Sequence, residues 1–166
     1  KKLKIKDKVL IKAINEFKGL PHRQEIVFSN KKLLCINDSK ATSFDASFQS
    51  LSNYNKIYWI VGGLPKKNDK FKLEKVKKNI VKAYIVGKKT SFFKTQIKNK
   101  LSYKISKKIS HAINDIFSDI KLNKNEKSTI LLSPAAASYD QFINFEKRGD
   151  YFKKILEKKN KKRTYV

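Results

Sequence analysis

A chain of 166 residues is the size of one domain and long enough to bury a substantial core. Its net charge of +26 invites a nucleic-acid or anionic-membrane partner, yet only Arg23, Arg148 and Arg163 among the 40 basic residues are arginine. With no basic-aromatic stripe to stack bases, the charge reads as a solvated lysine surface. A single cysteine excludes an internal disulfide, the two distant histidines offer no metal-ligand spacing, and no apolar run approaches the roughly 20 residues that span a bilayer.

In chain order, Val9, Leu10, Ala13, Ile14 and Phe17 fall at helical spacing and predict an amphipathic helix over 8–17, stopped at Gly19 and followed by a hinge-like Gly19-Leu20-Pro21. Short apolar runs at 24–29 and 32–37 predict a hairpin turning at Asn30-Lys31. A helix over 43–52 follows, then a buried strand over 56–61 that ends in Gly62-Gly63. A helix over 70–79 and a strand over 83–86 come next, closed by Gly87. The alternation continues with a helix over 91–100, a strand over 103–105, a helix over 106–120, a strand over 128–132 and a last helix over 144–159. Lys158 to Arg163 read as a frayed basic tail. Cys35 reads as a buried structural thiol within a strand, and His111 as structural on a helix face. The pattern predicts an α/β fold, a Rossmann-like, mostly parallel sheet with one antiparallel strand and helices on both faces. Methionine is absent, even at position 1, so the chain is expected to be a fragment or a processed product, soluble and cytoplasmic.

Nucleotide motifs are incomplete. Gly87-Lys88-Lys89-Thr90 mimics only the end of a P-loop, with Lys82 where the first glycine belongs, and Gly62-Gly63 lacks the third glycine of a dinucleotide fingerprint. The glycines are explained by a tight strand-to-loop turn. More chemistry lies in Asn37-Asp38-Ser39-Lys40-Ala41-Thr42 and Ser133-Pro134-Ala135-Ala136-Ala137-Ser138, each of which closes an apolar strand at the edge where open α/β sheets place ligands. Turn and capping chemistry accounts for Asp38 and Ser39 but gives no reason for Lys40 between small residues.

Taken with Gly19-Leu20-Pro21-His22-Arg23 and with Asp140 to Asp150, these blocks resemble the C-terminal domain of the bacterial ligases that add D-glutamate to UDP-N-acetylmuramoyl-L-alanine, over roughly residues 17–160. Related ligases for other amino acids carry a different block where this chain has Asp38-Ser39-Lys40-Ala41. Ser43 stands where asparagine is usual, and Ala136 where cysteine is common. The resemblance implies that residues 1–18 are the last helix of a central ATPase domain plus a hinge, and that 19–166 form the amino-acid-binding domain. It also implies that Lys40, Thr42, Lys66, Ser138 and the main-chain amide of Phe145 contact D-glutamate. Arg23 and Asp38 face the nucleotide. No catalytic or metal-binding residue is implied here; ATP and Mg²⁺ are expected mainly on the central domain. A dicarboxylate needs an ammonium and hydroxyl donors to replace its hydration, and a helix N-terminus favours an anion, so these roles have a mechanism. Glu146, Arg148 and Asp150 read as capping and bracing the last helix. The implied whole is a monomeric cytoplasmic enzyme of peptidoglycan synthesis with no specific nucleic-acid or membrane partner. The rivals are a basic nucleic-acid-binding module and a related ligase for another amino acid.

Overall fold

The computed structural model describes residues 5–122 and 127–163. Six strands form one sheet: β1 (Glu25–Ser29), β2 (Leu33–Asn37), β3 (Ile57–Gly62), β4 (Ile80–Val86), β5 (Tyr103–Lys107) and β6 (Ser128–Leu132). Their order is β1-β2-β6-β3-β4-β5; β1 is antiparallel to β2 and every other pairing is parallel, which is the sheet read from the sequence. The central strands β3 and β6 are buried along their whole length, as near-continuous apolar runs in a doubly covered parallel sheet must be. In the hairpin, Asn30 Oδ1 accepts from the Lys32 and Leu33 amides at 2.9 and 2.8 Å and closes the turn.

Helices α2 (Phe44–Asn53) and α3 (Thr90–Ile97) cover one face through Phe44, Leu51, Phe93 and Ile97, packed on Trp59, Val61, Ala83 and Ile85. On the other face, α4 (Ile109–Leu122) and α5 (Phe145–Arg163) pack Ile113, Ile116, Phe152 and Leu156 on Tyr58, Ile60, Tyr84 and Ile130. Cys35 is fully buried in β2, as expected. His111 is exposed on α4, so it does not serve the core. Helix α1 (Asp7–Glu16) buries none of its residues.

Three expectations fail. Residues 70–79 are not a helix; only a 3-10 turn at Lys77–Asn79 forms. Phe71, Leu73 and Val76 all face the core, a spacing no single helix face provides. The Phe71 amide bonds Gln96 Oε1 (3.2 Å) and Asn79 Nδ2 bonds the Leu51 carbonyl (2.9 Å), so tertiary partners take over helical ones. Ser106 belongs to β5 rather than to the following helix, its hydroxyl donating to Asp115 at 2.8 Å. The supposed frayed tail continues α5 to Arg163, in keeping with lysine's good helix propensity.

Candidate functional site

Strands β2 and β6 lie side by side and parallel. The chain leaving β2 enters α2 on one face, while the chain leaving β6 enters α5 on the other, so the connections diverge and open a crevice at their carboxyl ends. Its two lips are 37–42 and 133–138, the segments singled out in the sequence.

The lips are joined at their base. The Asp38 amide donates to the Leu132 carbonyl (2.8 Å), and Ser133 Oγ donates to Asp38 Oδ2 (2.9 Å). Asp38 Oδ1 accepts from the Gln24 amide (3.3 Å), and Ser50 Oγ lies 3.0 Å from Ser133 Oγ. Burial raises the Asp38 pKa above the ordinary carboxylate value; hydrogen bonds from Ser50, Ser133 and Gln24 and the charge of Arg23 offset only part of this. Trp59 Nε1 and Ser47 Oγ hold the Ser133 carbonyl at 2.7 and 3.3 Å, so the turn after β6 is anchored to β3 and α2.

Higher in the crevice the tie is Arg148, a residue of α5 with 2% exposure. Nε donates to Ser39 Oγ (3.0 Å), Nη2 to the Ser39 carbonyl (2.7 Å) and Nη1 to the Ala136 carbonyl (2.9 Å). Ser39 Oγ in turn donates to the Phe145 carbonyl at 2.8 Å. Burial pushes the Arg148 pKa down to about 10, with the Asp140 carboxylate working in the other direction. Asn144 caps α5, its Oδ1 accepting from the Lys147 amide (2.8 Å), so the cap is Asn144 and the brace is Arg148; Glu146 is half-buried and Asp150 exposed.

Lys40 is half-buried, and its ammonium sits 3.9 Å from the centre of the Phe145 ring. A cation over an aromatic face gains about 0.5–2 kcal/mol depending on its desolvation, enough to hold a flexible side chain at the mouth of the crevice. Phe145 is the first residue of α5, so its amide has no acceptor within the helix. Thr42 is half-buried and Ser138 is buried.

His22 and Arg23 part company. Arg23 is exposed beside a cavity of about 340 Å³ lined by Lys18, Leu20, Pro21, Gln24 and Ile26, whereas His22 is buried with a left-handed φ of 62°. His22 Nδ1 lies 2.9 Å from Asn37 Nδ2, which makes Nδ1 the acceptor and places the ring proton on Nε2, 3.8 Å from Asp150. The His22 carbonyl accepts from the Lys40 amide (3.0 Å) and its ring meets Phe145 edge-on at 6.0 Å. A Cβ on Gly149 would stand 2.2 Å from His22 Nδ1, so α5 can approach only at a glycine. Glu25 completes this cluster, accepting from the His22 amide (3.0 Å), Asn37 Nδ2 (2.9 Å) and Lys153 (3.2 Å). Burial raises its pKa, but these bonds outweigh it and leave the carboxyl below its ordinary value.

The loop after β3 pairs with the second lip through reciprocal Leu64 and Ala137 amide bonds of 2.9 Å. Gly63 permits this, since a Cβ there would stand 2.3 Å from the Ala137 carbonyl oxygen. Lys66, two residues after Leu64, is exposed. The structure thus places Asp38, Lys40 and Thr42 on the first lip and Ser138 on the second, with Phe145 under the Lys40 ammonium, and leaves Lys66 and Arg23 exposed. Sequence reading missed His22, Ser47, Ser50 and Trp59 and underrated Arg148. The rarity of arginine, which drew attention to Arg23, applied equally to Arg148.

These features define an open-sheet α/β domain whose ligand-type crevice sits at the carboxyl edge between two strands with diverging connections. The chain is 39% identical over 158 residues to a protein of Wolbachia sp. subsp. Brugia malayi named UDP-N-acetylmuramoylalanine–D-glutamate ligase. Proteins of the same name from Rhodospirillum rubrum and Phenylobacterium zucineum are 36% identical over 149 residues and 40% identical over 142. These matches cover 95, 90 and 86% of the chain but only 32, 31 and 30% of the relatives, so the chain spans about a third of their length. A scan against protein-family profiles found no match. The resemblance carried by the sequence blocks is thereby borne out.

Proposed function

We propose that this chain is the C-terminal, amino-acid-binding part of a ligase that joins D-glutamate to UDP-N-acetylmuramoyl-L-alanine in cytoplasmic peptidoglycan precursor synthesis. The observation that supports the reading is the Lys40 ammonium held over Phe145 at the start of α5, beside the strand ends that carry Thr42 and Ser138; together these would supply a set of donors matched to a dicarboxylate. The relatives carrying that name support it. In the whole enzyme ATP phosphorylates the alanine carboxylate of the nucleotide-linked substrate, and the amine of D-glutamate attacks the acyl phosphate to give the amide, ADP and phosphate. The part of this domain is to hold the nucleophile and complete the cleft, through proximity and fixed charge rather than bond chemistry of its own.

Lys66 would reach the second carboxylate from the rim, and Arg23 and Asp38 would face the nucleotide. ATP and Mg²⁺ would sit mainly on the remainder of the protein. Helix α1, with Val9, Leu10 and Ile14 exposed, suits the last helix of a preceding ATPase domain followed by the hinge at Gly19. Among the described residues no helix is long and apolar enough to cross a membrane. We assign a monomer working in the cytoplasm without a nucleic-acid partner.

The test is phosphate release by the full-length protein with ATP, Mg²⁺ and UDP-N-acetylmuramoyl-L-alanine, comparing D-glutamate, L-glutamate and no amino acid. D-glutamate alone should stimulate, and Lys40→Ala should lower turnover by about 100-fold, the scale of losing one charged donor in a shielded site. Equal stimulation by both isomers, or by neither, overturns the reading. This chain by itself should show no turnover.

A further inference from the structure

The position of Arg148 is costly on stability grounds. A guanidinium at 2% exposure, bonded to two carbonyls and one hydroxyl, gives up its hydration for neutral acceptors, and an apolar side chain of similar volume could fill such a site as well or better. What the cation alone supplies is geometry. Its N–H groups lie in one plane at fixed angles, which a lysine ammonium cannot reproduce. Two edges of the fork grip opposite lips. Nε and Nη2 hold Ser39, the residue between Asp38 and Lys40, while Nη1 holds Ala136, two residues before Ser138.

The gripped segments are themselves constrained. Ala135 adopts a left-handed φ of 55°, unusual for a residue with a Cβ, and Ala137 is locked to Leu64. Ser39 is fully buried and bonded to the first residue of α5. A change at the guanidinium therefore moves the lips relative to one another rather than being absorbed by slack in either.

We propose that Arg148 is a specificity-determining positioning residue: the span of its guanidinium sets the separation of the two lips, and with it the length of the dicarboxylate that the crevice accepts. This rests on the proposed function. Lys40 and Thr42 on one lip and Ser138 on the other, with the Phe145 amide at the start of the helix that carries Arg148, form a ruler whose spacer is Arg148. Arg148 contacts no substrate in this scheme; it acts through Ser39 and Ala136.

The experiment measures kcat/KM of the full-length protein for D-glutamate, for D-aspartate, one methylene shorter, and for D-2-aminoadipate, one longer. A single methylene is commonly worth about 10–200-fold in discrimination, and the wild type should lie in that range. Arg148→Lys keeps the charge and loses the fork; its ratio of D-glutamate to either homologue should fall by about 10-fold or more, with the KM for ATP unchanged. Ser39→Ala keeps Arg148 and both carbonyl bonds but loses one anchor, and its ratio should fall by about 3-fold. A purely structural role would lower the active fraction, reducing all three values together and leaving the ratios where they were. Unmoved ratios in both variants overturn the inference while a D-glutamate-stimulated wild type keeps the functional reading intact. A wild type that does not respond to D-glutamate overturns both. Should Arg148→Lys fail to fold, the Ser39→Ala ratio decides alone.

Discussion

Helices α1 and α5 both announce themselves in the sequence, and they meet opposite fates in the fold. The apolar side of α1 carries Val9, Leu10 and Ile14, yet these are 58, 48 and 64% exposed. In α5, lysine-rich and far more polar, Arg148, Gly149, Phe152 and Leu156 are buried, and the helix holds both lips of the crevice. Apolar periodicity therefore reports that a helix has a face to bury, and says nothing of where the covering surface lies. The attachment of α5 to the site depends on a guanidinium, a glycine and a cap, none of which raises its apolar signal.

The contrast can be broken most forcefully at Phe152. Phe152→Ala should destabilise the chain by about 3–5 kcal/mol in denaturant titration, the usual loss on truncating a fully buried aromatic. Next comes Gly149→Ala, which sets a methyl group against His22. A cost of about 1–3 kcal/mol is expected, along with loss of the Lys40 and Phe145 arrangement that His22 supports. Retention of wild-type stability would show that α5 can shift without disturbing the hinge.

A smaller effect should come from pH. Glu25 has a folded-state pKa below its ordinary value of 4.5, so its contribution is complete above that value and is lost as pH falls through the lower one. The stability gap between wild type and Glu25→Gln, about 1 kcal/mol at neutral pH, should therefore close on acidification below 4.5. A gap that is constant with pH would mean that Lys153 and the His22 amide do not favour the charged form. Asp38 runs the other way: its raised pKa means that its contribution is present below 3.8 and is lost as pH rises through the raised value.

The smallest effect is expected in α1. Ile11→Ser with Ile14→Ser should alter the stability of this chain by no more than about 0.5 kcal/mol, since both side chains are exposed. The same pair should destabilise the full-length protein by considerably more if α1 packs against a preceding domain. Equal insensitivity in both would remove that assignment.

The legible parts of the fold share a local cause. Strands β3 and β6 stand out as unbroken apolar runs because both their faces are covered, and Ser43 and Asn30 act through bonds to amides two or three residues away. The 70–79 segment misleads because Phe71, Leu73 and Val76 answer to a core built by α2 and α3, and no local rule encodes that surface. His22 lies in a block that carries the resemblance, yet nothing local marks it as buried. A histidine beside an arginine in a Gly-Pro hinge is an ordinary linker pair until α5 folds over it at Gly149.

By itself the sequence determined the α/β alternation, the antiparallel first strand and the two polar strand ends that form the lips, because these follow from side-chain period and turn chemistry over a few residues. Only the tertiary structure decided that β6 inserts between β2 and β3, which brings Asp38 onto Ser133 across 95 positions of chain. It also decided that Arg148 bridges Ser39 and Ala136. Strand order and buried hydrogen bonds depend on which apolar faces find each other in three dimensions, and that information is spread over the whole core.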